Sequence, residues 1–202
     1  MGIKLTTREK KRIKEGLQQK YAKVSDNPKG LFRYPTGRAG LEGLNYAPEI
    51  INDLPETAVG SYCGVGNPFT LGPIHKGESV LDIGCGGGVD TLIAALLVGP
   101  TGRTVGIDII PEMLERAKKN FRDMPLKGVS FQEASAEDLP FPDKSFDVVI
   151  SNGAFNLVIN KEKALQEVLR LLRPSGRLMM ADQILTGVLS NDTKAVVESW
   201  AQ

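Results

Sequence analysis

Asp82, Gly84, Gly86 and Gly88 stand at alternate positions in the run Ser79-Val-Leu-Asp-Ile-Gly-Cys-Gly-Gly-Gly-Val-Asp90. Glycines at that spacing let a backbone turn sharply and approach a ligand with no Cβ in the way. An acid two residues before the first glycine aims a carboxylate at the same place. A second acid, Asp108, ends the run Arg103-Thr-Val-Gly-Ile-Asp108. Carboxylates beside a glycine turn suit a cation and disfavour a phosphate.

That charge pattern separates two ligand classes. The dinucleotide fingerprint G-x-G-x-x-G rests a pyrophosphate on a helix N-terminus. The spacing here is D-x-G-x-G-x-G, which counts against a nicotinamide dinucleotide. S-adenosylmethionine carries a sulfonium and an ammonium and no phosphate, so it fits. Asp108 is placed to take both hydroxyls of its ribose.

These residues need a strand on each side of the turn and a helix after it. Val80, Leu81 and Ile83 read as a buried strand, and Thr91 to Val98 as an apolar helix. Arg103–Asp108 reads as a second strand, followed by a helix from Pro111 to about Arg122, with proline at the first helical position. Ile110 occupies the place of a capping Ser or Thr. A third strand is expected at Val129–Glu133. The loop Ser135-Ala-Glu-Asp-Leu-Pro-Phe-Pro142 offers Glu137 to an adenine amino group, with Ala136 and Leu139 beside the ring.

Phe146-Asp-Val-Val-Ile-Ser151 is nearly continuous in apolar residues and is expected as a central strand. Asn152 follows at its carboxyl end, where open α/β sheets bind ligands. Asn160 caps a helix with the stripe Ala164, Leu165, Val168, Leu169 and Leu172. Pro174-Ser-Gly176 ends it, and a fifth strand is expected at Arg177–Leu185 with Asp182 inside. Asp192 to Gln202 reads as the start of a further helix. The alternation predicts an α/β fold: a Rossmann-like, doubly wound, mostly parallel sheet with helices on both faces.

The first 73 residues have a different character. Thr6-x-x-Glu9 is a capping box, and Ile13, Leu17, Tyr21 and Val24 form one helical stripe. Lys10, Lys11, Arg12, Lys14 and Lys20 enrich the rest of that helix and read as a solvated face. Leu31 to Pro73 is dense in glycine and proline without clear periodicity, with short helices expected at Ala47–Leu54 and Asn67–Leu71. Residues 1–73 are expected as an N-terminal helix and lid, and 74–202 as the S-adenosylmethionine-binding domain. Tyr34, Tyr46, Asn67 and Phe69 are candidates to cover the cofactor or meet a substrate. His75, the only histidine, reads as a surface loop residue.

Composition narrows the class. A chain of 202 residues with 41% hydrophobic and 24% charged residues is ordinary for one globular domain. Net charge is +1, so no global field favours nucleic acid or an acidic membrane. No apolar run approaches the length of a membrane span. Two cysteines, Cys63 and Cys85, make neither a disulfide framework nor a zinc set, and no metal is expected. A reducing cytoplasm is the expected compartment.

From about Gly30 onward the chain resembles class I S-adenosylmethionine-dependent methyltransferases, and more narrowly their arsenite methyltransferase-like branch. The resemblance rests on Val80-Leu-Asp-Ile-Gly-Cys-Gly-Gly-Gly88, Val105-Gly-Ile-Asp108 with Pro111-Glu-Met113, Ala136-Glu-Asp-Leu-Pro140, Phe146-Asp-Val-Val-Ile-Ser-Asn152 and Leu172-Arg-Pro-Ser-Gly-Arg-Leu178. It implies that Asp82, Gly84, Cys85 and Gly86 surround the methionine end of the cofactor. Asp108 would take the ribose, Ile109 and Met113 would pack on the adenosine, Ala136 and Glu137 would meet the adenine, and Asn152 would lie beside the reactive methyl.

Two departures matter. Arsenite methyltransferases hold As(III) on converging cysteine thiolates, as a soft metalloid requires. At two of those positions this chain has Val65 and Gly153, Cys63 is two residues off register, and a third position would lie beyond Gln202. Arsenite is therefore not expected as the acceptor. The family sheet also has two further strands after the fifth, which are not expected in this chain. A bare fifth strand is an aggregation-prone edge, so a homodimer or an exchanged element is expected to cover it. The expected activity is methyl transfer to a small molecule, the alternative a cofactor-binding protein without turnover or one part of an assembly. No Ser-His-Asp or Cys-His set marks a catalytic base. Tyr34, Tyr46 and Asp182 are the only contributors considered, and none is assigned.

Overall fold

A computed structural model of the chain describes residues 5–122 and 124–184. The helix expected at Asp192–Gln202 and the end of the strand expected to reach Leu185 lie outside them. Five strands form one sheet: β1 (Ser79–Ile83), β2 (Arg103–Asp108), β3 (Val129–Glu133), β4 (Phe146–Asn152) and β5 (Leu172–Ala181). Their order is β3-β2-β1-β4-β5, and every pairing is parallel. Leu81 pairs with Val105 on one side and Val149 on the other, which fixes β1 at the centre. The order reverses between β1 and β4, and the carboxyl ends there open a crevice.

Alternation along β1 and β4 explains the two layers. Leu81, Ile83 and Val149 face α7 (Lys161–Leu171), meeting Ala164, Val168 and Leu171. Val80, Val148 and Ile150 face the other way, onto Ala94 and Val98 of α5 (Val89–Val98). These aliphatic side chains are at or near 0% exposure, and each stabilises the fold by about 1.5–3 kcal/mol relative to exposure. Between β2 and β3 runs α6 (Pro111–Phe121), with Pro111 in its first turn and Ile110 at its cap without a side-chain bond. Asn160 caps α7 by accepting from the Lys163 N–H at 3.1 Å.

The N-terminal helix α1 (Thr7–Asp26) begins with the capping box: Thr6 Oγ1 accepts from the Glu9 N–H at 3.3 Å, and Glu9 Oε2 accepts from the Thr6 N–H at 2.7 Å. Next come α2 (Gly37–Gly43), α3 (Pro48–Asp53), α4 (Glu56–Val59) and a 3-10 turn at Pro68–Leu71 capped by Asn67. Helices of four to seven residues are too short to show a period, so α2 and α4 were not legible. Leu41, Tyr46, Ile51, Val59 and Tyr62 pack against Val89, Leu92 and Ile93, so this stretch forms a layer over α5. His75 is exposed in the loop before β1. No helix among the described residues is long and apolar enough to cross a membrane.

Two expectations are corrected. The fifth strand begins at Leu172 rather than Arg177, and Asp182 follows it instead of lying inside. Pro174-Ser-Gly176 carries helix-stop chemistry, but the chain has already joined the sheet: pairing steps from Phe146–Leu172 to Val148–Arg177, and the intervening residues bulge with Ser175 at φ +67°. Leu165 and Leu169, counted on the buried stripe of α7, are 39% and 72% exposed. The face that meets the sheet is narrower, carried by Ala164, Val168 and Leu171.

Candidate functional site

The glycine turn after β1 is a cradle with little room for side chains. Gly84 has φ +71°, and a Cβ on it would collide with that of Ala154. Gly86 has φ +52°, with the Met113 methyl 3.2 Å from where a Cβ would stand. Asn120 of α6 ties the turn down, donating to the Gly87 carbonyl at 2.8 Å and to Ser61 Oγ at 3.0 Å.

Beside the turn lies a cleft of about 960 Å³. Of the residues expected to bind cofactor, Gly84, Gly86, Asp108, Ile109, Met113, Ala136, Glu137 and Asn152 line it. Asp108 Oδ2 accepts from the Gly86 N–H and Oδ1 from the Ile110 N–H, both at 2.9 Å. Burial raises its pKa, and those N–H bonds oppose the rise. Glu137 Oε1 accepts from the Asn160 N–H at 3.1 Å. The loop carrying Ala136 and Glu137 leads into a stretch clamped by α7. Arg170 donates to the Leu139 and Phe141 carbonyls at 2.9 and 2.7 Å, and Glu167 Oε2 accepts from the Leu139 N–H at 2.8 Å.

The other two expected residues, Asp82 and Cys85, line a smaller lobe of about 360 Å³ on the far side of the turn. Asp82 shares the face of Val80, so its carboxylate points toward α5 and accepts from Thr91 Oγ1 at 2.6 Å. Asp90 stands in the same lobe. Cys63, Gly84, Gly86 and Asn152 border both cavities and mark where they join. Burial, and then the fields of Asp108 and Asp90, push the Cys63 thiol up to about 12.

Asn152 is committed to neighbouring chain. Its Oδ1 accepts from the Val65 and Gly66 N–H groups at 2.8 and 3.0 Å. Its Nδ2 donates to the Gly66 carbonyl at 2.8 Å and to Asp90 Oδ2 at 2.9 Å. The Tyr46 hydroxyl donates to Asp90 Oδ1 at 2.7 Å. Tyr46 and Phe69 therefore serve this buried layer, Asn67 caps the Pro68–Leu71 turn, and none of the three lines the cleft. Tyr34 donates to the Cys63 carbonyl at 3.1 Å, and Asp182 accepts from the Asn156 N–H at 3.0 Å.

Several lining residues were missed by sequence reasoning. Lys14, Leu17 and Tyr21 of α1 border the cleft, as do Leu157, Val158 and Ile159 after β4. Ile13 and Leu17 pack with Leu157 and Ile159, so α1 crosses the mouth. The α1 stripe announced a buried face but not its partner. Asp90 closed the glycine run in the sequence and was given no role there, since nothing links it to Tyr46 or Asn152 before folding.

The donor set fits S-adenosylmethionine. Among the described residues no lysine or arginine lines the smaller lobe, whereas its buried carboxylates are matched to a cation.

Comparison with known proteins agrees. Residues 74–201 match the family described as "Methyltransferase domain". The chain is 35% identical over 160 residues to an arsenite methyltransferase of Halobacterium salinarum, covering 79% of this chain and 40% of that protein. It is 39% identical over 137 residues to the ubiquinone/menaquinone biosynthesis C-methyltransferase UbiE of Pasteurella multocida, covering 66% and 50%. Among solved structures, an arsenic(III) S-adenosylmethionine methyltransferase from Chlamydomonas reinhardtii superposes with TM-score 0.56 at 32% identity, covering 74% of this chain and 50% of that one. The chain thus spans half or less of the length of these curated relatives.

Proposed function

The chain belongs to the S-adenosylmethionine-dependent methyltransferase family, and we propose that it transfers a methyl group to a small organic acceptor other than arsenite. The observation that carries this reading is the pairing of acid-bearing strands with a glycine turn at the sheet's switch point. When bound, the cofactor supplies a methyl already activated on a sulfonium. The chain's own task is to bind, orient and exclude water.

Asp108 would hold the ribose hydroxyls, and the turn at Gly84–Gly86 would admit the ligand between the two cavities. Ile109 and Met113 offer apolar surface to the adenosine, and Ala136 and Glu137 the adenine edge. Leu17 and Tyr21 from α1, with Leu157 to Ile159, shield the cleft from solvent. Asn152 acts by anchoring the Val65–Gly66 loop at the junction.

The acceptor reading rests on two neighbours. A Cβ on Gly153 would lie 3.3 Å from both methyls of Val65. The positions where the arsenite branch places thiolates thus adjoin, and here they present isopropyl and hydrogen. A single thiol at Cys63 gives a soft metalloid no converging set.

The test is label transfer from methyl-labelled S-adenosylmethionine into a metabolite mixture and, separately, into arsenite with excess thiol. Label should reach an organic acceptor and not arsenic. Methylated arsenicals, or no transfer to any acceptor, would overturn the proposal.

A further inference from the structure

Two acids share the smaller lobe, and the sequence pattern singles out only Asp82. We infer that Asp90, rather than Asp82, carries the negative charge that meets the ammonium of the bound cofactor, while Asp82 stays neutral. This rests on the methyltransferase reading of the site.

The geometry distinguishes the two acids. Asp82 is 1% exposed at the end of β1, and its donors come from one residue, the hydroxyl and backbone N–H of Thr91. Asp90 is 7% exposed in the first turn of α5 and accepts on both oxygens, from Tyr46 and Asn152. Donors on both oxygens and a helix N-terminus favour the charged form there. Among the described residues no cationic side chain lines the lobe; Lys20 of α1 acts on Cys63 at its border. The titratable groups around it are Asp82 from β1, Asp108 from β2, Tyr46 before α3, and Tyr62, Cys63 and Cys85 from the flanking turns. None of those groups is a cation, so two charges together in the lobe would repel. Buried pairs in that position split their titrations. Burial, followed by the field of Asp90, raises Asp82 well above the usual carboxylate range. Burial raises Asp90 only to about 6, because its Asn152 and Tyr46 bonds oppose it. The two donors on Asp90 and its place at the helix N-terminus thus favour the single charge there.

The linkage then has a sign. A cation binds the ionised form, so affinity is full well above pH 6 and falls as pH drops through 6 and Asp90 takes up a proton. One group titrating near 6 weakens binding about fourfold between pH 7.5 and 5.5.

The experiment is calorimetric titration of the full chain with S-adenosylhomocysteine, which keeps the ammonium, and with 5′-methylthioadenosine, which lacks it. S-adenosylhomocysteine should weaken about fourfold over that range and 5′-methylthioadenosine should not change. Asp90→Asn should lose roughly tenfold in affinity at pH 7.5 and abolish the slope. Asp82→Asn should keep the slope. Should Asp90→Asn fail to fold, Tyr46→Phe removes one donor to Asp90 and should shift the midpoint to higher pH. A slope that survives Asp90→Asn, vanishes in Asp82→Asn, appears with 5′-methylthioadenosine or ignores Tyr46→Phe would overturn the inference. Absence of S-adenosylhomocysteine binding by the wild type at every pH would instead overturn the cofactor reading itself.

Discussion

Asn152 shows how one side chain can matter to a site through what it holds. Four hydrogen bonds from a single amide join the end of β4, the Val65–Gly66 loop and Asp90. Replacing it with alanine removes the partner of the Val65 and Gly66 N–H groups and of one Asp90 oxygen, at a cost of roughly 3 kcal/mol. We expect Asn152→Ala to lower the urea midpoint and to weaken S-adenosylhomocysteine binding together. A normal midpoint with weakened binding would mean that the amide meets the ligand directly. The sequence placed Asn152 correctly at a strand's carboxyl end, because strand and turn are local. It could not reveal the amide's partners, which lie 62 to 87 residues earlier in the chain. Separations of 44 and 62 residues likewise hid Asp90, whose contacts with Tyr46 and Asn152 exist only after folding.

Among the elements, α7 has a role beyond covering the sheet. Arg170 grips two carbonyls of the loop after β3, and its bonds hold Glu167 down at about 2, below its ordinary 4.5. A depressed carboxylate contributes stability that is present above its unfolded value and lost as pH falls toward the folded one. Thermal melts from pH 5 to pH 2 should therefore show a loss of stability that Arg170→Ala reduces. That variant should also be less stable at neutral pH by about 1.5–3 kcal/mol. Equal acid sensitivity in both proteins would contradict the assignment. Legibility of the elements followed their length and period. β1, α5, β2, α6 and β4 were readable because runs of apolar residues meet clear breakers. The start of β5 was not, since Pro174-Ser-Gly176 marks a helix end and a strand bulge with the same residues. In α1 the capping box and stripe were plain, but only packing shows that Ile13 and Leu17 rest on Leu157 and Ile159.

For the molecule as a whole, alternating strands and helices were enough to foresee a parallel sheet with ligands at its carboxyl edge. They were not enough to foresee that residues 37–62 pack as a layer on α5, or that α1 reaches over the cleft. Those placements depend on contacts far apart in sequence. What unites the scales is charge: acids at the ends of β1 and β2, and one opening α5, gather around a turn that offers no cation of its own. Titration of the wild type and Asp108→Ala with S-adenosylhomocysteine and with NAD tests that idea most directly. S-adenosylhomocysteine should bind the wild type and lose about 10–100-fold in Asp108→Ala, with no measurable heat from NAD. Tighter binding of NAD, or an affinity for S-adenosylhomocysteine that ignores the loss of Asp108, would contradict it.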